Sequence, residues 1–174
     1  MPAPSDPSIV YAAYHPTFDS PRSGIIRSLD RGLTWIALDP RLPDSLRIMK
    51  LLVHPTDPGV LYIVSGRDIF MDGIESAWRS DDGGATWSRI ASSLGNIWDL
   101  AIDPGSPQVL YATMYVGSTD SVWSGAVYKS VDEGVTWTLK AEHTGGILVK
   151  RDQPQVVWVI DPRRSSSNSE SGVW

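Results

Sequence analysis

The chain has no cysteine, two phenylalanines and three histidines among its 174 residues. Without thiols there is no disulfide framework and no thiolate metal site, so stability rests on packing and backbone hydrogen bonds. A surplus of basic charge is missing too: 15 Lys and Arg stand against 20 Asp and Glu, for a net charge of -5. Those cations are scattered along the chain, which argues against a nucleic-acid surface, since phosphate binding needs them clustered. No apolar run reaches the length of a membrane span, and the start, Met1 to Pro7, lacks the basic-then-apolar form of a secretory signal. No stretch carries a helical period either.

What is present is 15 glycines, 13 prolines and eight tryptophans, and much of that surplus belongs to a repeat. Arg27 to Trp35, Arg79 to Trp87 and Lys129 to Trp137 each read basic, Ser, any, Asp, any, Gly, any, Thr, Trp, with the serines 52 and 50 residues apart. Upstream lies a second repeated signal, an apolar pair before an aromatic: Ile9-Val10-Tyr11, Val60-Leu61-Tyr62, Val109-Leu110-Tyr111 and Val156-Val157-Trp158. Its three tyrosines precede Ser28, Ser80 and Ser130 by 17, 18 and 19 residues. One supersecondary unit is therefore used several times.

Short apolar, β-branched runs bounded by Pro, Gly and Asp predict four strands per unit, A to D. In the second unit they are Ile48 to Val53, Val60 to Val64, Ala77 to Arg79 and Thr86 to Ile90. In the third they are Ile97 to Ile102, Val109 to Met114, Ala126 to Lys129 and Thr136 to Lys140. The expected fold is all-β, a partial β-propeller of four-stranded antiparallel blades with the repeated turn joining strands C and D; a solenoid is the second architecture. The units are 6–46 (strands B to D, with no preceding strand A), 47–96, 97–144 and 145–174 (strands A to C). This predicts a segment of a larger propeller, whose open faces call for further blades or self-association. Arg163 to Ser171 reads as a flexible loop.

In the repeated turn, Ser and Asp side chains are suited to holding backbone N–H groups, Gly to positive φ, and Trp to anchoring the turn as a large buried group. The pattern Ser-x-Asp-x-Gly-x-Thr-Trp resembles the Asp-box, or BNR repeat, of sialidase-like β-propellers. Ser28, Asp30, Gly32, Thr34 and Trp35 match it, as do Ser80, Asp82, Gly84, Thr86 and Trp87, and Ser130, Asp132, Gly134, Thr136 and Trp137. The resemblance implies that these boxes are structural and lie on the side away from the ligand. Xyloglucan-type glycoside hydrolases, sortilin-type receptors and photosystem II assembly propellers share the repeat. The Arg-Ile-Pro motif of sialidases is absent, Arg47-Ile48 being followed by Met49. An extracellular or periplasmic setting is what the resemblance implies.

If strand A starts on the ligand face, the D-to-A and B-to-C connections share it. The candidates there are Asp68, Asp72 and Asp120 as carboxylates for glycoside hydrolysis, and Trp98, Trp123, Arg67 and Arg22 as ligand contacts. Consecutive Asp81 and Asp82 lack the ligand spacing of a calcium loop, so no metal and no cofactor are expected. Two readings stand: a binding or scaffold module for a glycan or protein, and part of a glycoside hydrolase.

Overall fold

The computed structural model describes residues 1–14, 23–38, 42, 46–66, 76–119, 122–142, 146–149 and 157–160, with the backbone alone described at 115–119, 122–124, 146–149 and 157–160. All the regular structure among the described residues is strand. Residues divide into two compact units, Met1–Ile90 and Ala91–Trp174. Among the described residues no helix is long and apolar enough to cross a membrane.

The first unit holds two antiparallel sheets. One is β1 (Val10–Tyr14), β2 (Gly24–Ser28) and β3 (Ile36–Leu38); the other is β4 (Arg47–Val53), β5 (Leu61–Gly66), β6 (Ser76–Ser80) and β7 (Ser88–Ile90), each in simple up-and-down order. Tyr11 and Ile25 of the first sheet pack on Ile48, Val53, Leu61 and Ile63 of the second, with Ala3 and Leu46 completing the core. At about 25 cal/mol per Å² of apolar surface, such sheet-on-sheet burial is the main stabilising term in a domain without cross-links. The Tyr11 hydroxyl donates to the Pro58 carbonyl at 3.1 Å, tying β1 to the loop after β4.

In the second unit β8 (Ile97–Ile102), β9 (Leu110–Thr119), β10 (Val122–Ser130) and β11 (Thr138–Glu142) form the same up-and-down sheet, and β12 (Gly146–Val149) pairs with β13 (Val157–Ile160). Ala101, Val109, Tyr111 and Val127 form a buried cluster on the four-stranded sheet. The architecture is thus all-β and blade-like.

The register explains why the two sequence signals keep phase. Tyr11 lies opposite Arg27, Tyr62 opposite Arg79 and Tyr111 opposite Lys129. Arg79 sits over the Tyr62 ring at 5.7 Å and Lys129 over Tyr111 at 5.4 Å. The basic residue opening each turn motif is therefore the cross-strand neighbour of the strand-B tyrosine, where a cation on a ring face is stabilising.

Three expectations need correction. Where no strand A is expected, a single bridge pairs the residues before strand B of the first sheet with it: Pro2 bridges Val10, the Ala3 N–H donates to the Ile9 carbonyl at 2.8 Å, and the Tyr11 N–H donates to the Met1 carbonyl at 3.0 Å. Pro4-Ser5-Asp6-Pro7 makes the same turn as Pro55-Thr56-Asp57-Pro58, closed by Ile9 N–H to the Asp6 carbonyl and Val60 N–H to the Asp57 carbonyl. Strand D starts two residues later than expected, at Ser88 and Thr138, because Thr and Trp of each motif belong to the turn. Strands B and C of the third repeat, expected at Val109 to Met114 and Ala126 to Lys129, are longer than expected, since β9 and β10 stay paired out to Thr119 and Val122.

Candidate ligand-binding site

The two ends of each sheet differ. At one end the three repeated turns have the same hydrogen bonds. Ser80 Oγ donates to Asp82 Oδ1 (2.8 Å) and accepts from Gly84 N–H (2.8 Å), while Asp82 accepts from Thr86 N–H (2.8 Å) and Thr86 Oγ1 (2.6 Å). Ser28 with Asp30 and Ser130 with Asp132 repeat this arrangement. Two consecutive residues take positive φ in each copy: Arg31 and Gly32, Gly83 and Gly84, Glu133 and Gly134. The first of each pair donates its N–H to the strand A-to-B loop, at Ser8, Gly59 and Gln108 (2.8 to 2.9 Å). This anchors turn and loop at the same end of the sheet.

The tryptophans close the turn by donating Nε1–H to the carbonyls of Gly32, Gly84 and Gly134. They are less buried than expected. Trp87 is half-buried against the core shared by the first two sheets, and Trp35 is 42% exposed. Asp81, beside the box, accepts from Arg79 Nε at 2.8 Å. Both acidic residues of that turn are thus engaged by protein groups.

Hydrogen bonds to the charged carboxylate lower Asp30, Asp82 and Asp132 from 3.8 to about 2. At Asp30 the Ser28 hydroxyl contributes most; at Asp82 and Asp132 the threonine hydroxyl does, then the threonine N–H. Because the folded value lies below the unfolded one, this stabilisation is fully present above about pH 4 and is lost as pH falls through about 2. Over that window the melting temperature is expected to fall with acid, less steeply in Asp82→Asn; an unchanged profile in the variant would refute the assignment.

The opposite end, where strand A starts, carries irregularities that a purely structural sheet does not require. In β8 the register shifts between Ile97 and Asp99, leaving Trp98 on a β-bulge. Ile97 is 1% exposed and Trp98 50%. Bulges re-aim side chains and concentrate near binding sites. Beside it, β9 and β10 run past the Met114–Ile97 pair as a two-stranded arm of five further residues on β9, about 16 Å at 3.3 Å per residue. A second register shift, between Ser124 and Gly125, marks where the arm leaves the sheet.

Trp123, expected in a loop, belongs to β10 within this arm, opposite Ser118. The physical reason is that Tyr115, Val116, Thr119 and Val122 favour extended pairing despite Gly117. Arg22, Arg67, Asp68, Asp72 and Asp120 lie outside the described residues. Trp98 is therefore the predicted ligand residue whose side chain is placed, at the base of the arm and at the end away from the Asp-box. The same bulge occurs in β4, between Ile48 and Lys50, where it presents Met49. Sequence reasoning missed Met49, although Ile48 and Ile97 both stand 14 residues before the strand-B tyrosine.

Fold and turns together define a repeat segment of antiparallel sheets. The BNR/Asp-box repeat family matches residues 78–89, which contain the second turn. Among curated proteins, the chain is 33% identical over 176 residues to a xyloglucanase of Paenibacillus sp, covering 83% of this chain and 16% of that protein. It is 28% identical to the xyloglucanase Xgh74A of Acetivibrio thermocellus, covering 83% of this chain and 20% of that protein. The fold matches the crystal structure of a GH74 enzyme of Niastella koreensis with a TM-score of 0.67 at 18% identity, covering 91% of this chain and 25% of the other. The chain therefore contains a BNR/Asp-box repeat segment, is distantly homologous to GH74 xyloglucanases, and spans about a fifth or less of the length of these curated relatives.

Proposed function

We propose that the chain is part of a glycoside hydrolase of xyloglucanase type and that it contributes glycan contacts at the strand-A end of individual sheets. The observation that carries this reading is the 33% identity to a xyloglucanase across 83% of the chain. Relatives that are hydrolases favour an enzyme over a scaffold that only binds. Trp98 fits the reading chemically: an exposed indole offers a flat apolar face to the C–H side of a pyranose ring. Asp68, Asp72 and Asp120 are our candidates for the acid and for the base or nucleophile, the two carboxylates that hydrolysis of a glycosidic bond requires. One member of the pair is free to come from outside this chain. A polysaccharide substrate, which does not cross a cytoplasmic membrane unaided, supports an extracellular or periplasmic setting for this work.

The test is twofold. Xyloglucan oligosaccharides titrated into the chain should bind, and Trp98→Ala should weaken that binding about tenfold, the loss of one ring contact. In the hydrolytic protein that carries this chain, at least one of Asp68→Asn, Asp72→Asn and Asp120→Asn should lower kcat by about 10²- to 10⁴-fold. Three variants with unchanged turnover would remove these carboxylates from the mechanism.

A further inference from the structure

Both four-stranded sheets start strand A in the same way. Ile48 and Ile97 are buried at 2% and 1%, and the next residue is set on a bulge and exposed: Met49 at 57% and Trp98 at 50%. The positions are equivalent by register, since Lys50 pairs with Val64 as Asp99 pairs with Thr113, and Ile48 with Ser65 as Ile97 with Met114. A single exposed apolar residue is ordinary. Two large ones at equivalent bulges are not, because a bulge that served only to twist the strand would tolerate any polar side chain there.

Met49 is also seated. A Cβ placed on Gly66 would come within 2.3 Å of Met49 Cγ and 2.8 Å of its sulfur, so the thioether lies against the bare glycine backbone at the end of β5. That leaves an apolar, polarisable surface held at the mouth of the sheet, a surface of the kind methionine supplies at adaptable binding sites.

We propose that the bulged residue of strand A is the ligand-contact position of this repeat and that Met49 is a second carbohydrate contact, packing its thioether on the C–H face of a pyranose ring. The inference rests on the reading of Trp98 as a glycan contact. It extends that role to the first unit and makes the identity of the bulge residue a determinant of affinity.

The test uses the whole chain and xyloglucan oligosaccharides of one and two repeating units in calorimetric titrations. Met49→Ala is expected to raise Kd about threefold to tenfold, and Met49→Trp, which supplies the larger ring used in the other unit, to lower it by a similar factor. Leu33→Ala, at the Asp-box end where Leu33 is 84% exposed, should leave Kd unchanged. Melting curves matching wild type in both Met49 variants keep folding out of the comparison. If Trp98→Ala weakens binding while both Met49 variants bind as wild type does, the inference falls and the Trp98 reading stands. If the wild-type chain binds none of these oligosaccharides, both fall.

Discussion

Tyr11→Ala is expected to destabilise the first unit by about 4 kcal/mol, the middle of the range for truncating a buried aromatic. The ring is 1% exposed and fills the space between the two sheets of that unit, against Ile25, Ile48, Leu61 and Ile63. Its loss leaves a cavity that two sheets, each fixed by its own hydrogen bonds, are poorly able to close. Tyr11→Phe separates packing from the polar contact. It removes only the 3.1 Å hydrogen bond to the Pro58 carbonyl, for about 1 kcal/mol. Denaturant unfolding followed by tryptophan emission reads both. A loss below about 1 kcal/mol for the alanine variant would mean that the sheets are not joined through this ring.

Gly84→Ala should cost about 3 kcal/mol, combining left-handed strain with overpacking. Its φ is +93°, and an added Cβ would lie 2.9 Å from Leu38 Cδ1 and 3.3 Å from Leu61 Cδ1. Gly32 provides an internal control. With nearly the same φ, +89°, its added Cβ would meet, among the described residues, only Trp35 Cζ2, at 3.6 Å. Gly32→Ala is therefore expected to cost about 1 to 2 kcal/mol, backbone strain alone. The difference between the variants measures the packing over the second turn, and equal losses would show that the turn's backbone accounts for both.

Much of the fold was legible because the signals are local. Alternating β-branched residues mark strands, and the motif from Ser80 to Trp87 places special residues where a tight turn needs them. Positive φ at Arg31 and Glu133 escaped notice, since neither residue type signals it; the hydrogen bonds to Ser8 and Gln108 hold them there. The burial of Trp35 was misjudged because exposure depends on what lies over a turn, which no local pattern states. Met1 to Ala3 is too short to show alternation, although the shared Pro-x-Asp-Pro of Pro4 and Pro55 could have revealed it. At the candidate site, Trp98 could be found as an aromatic at a strand start. The bulge beneath it could not, because a register shift is a relation between two strands. Whether Asp68, Asp72 and Asp120 come together was not legible, because the stretch from Arg67 to Glu75 carries no period and nothing local relates it to Asp120.

The cross-strand pairing of each tyrosine with a basic residue has one further consequence. It fixes the register at the Asp-box end, so the lengthening of the tyrosine-to-serine interval from 17 to 18 to 19 residues is absorbed at the far end, where β9 and β10 grow into an arm. Each sheet thus has one invariant rim and one exchangeable rim. For protein engineering, foreign hairpins grafted between Met114 and Gly125 should leave the Asp-box half of the sheet in place.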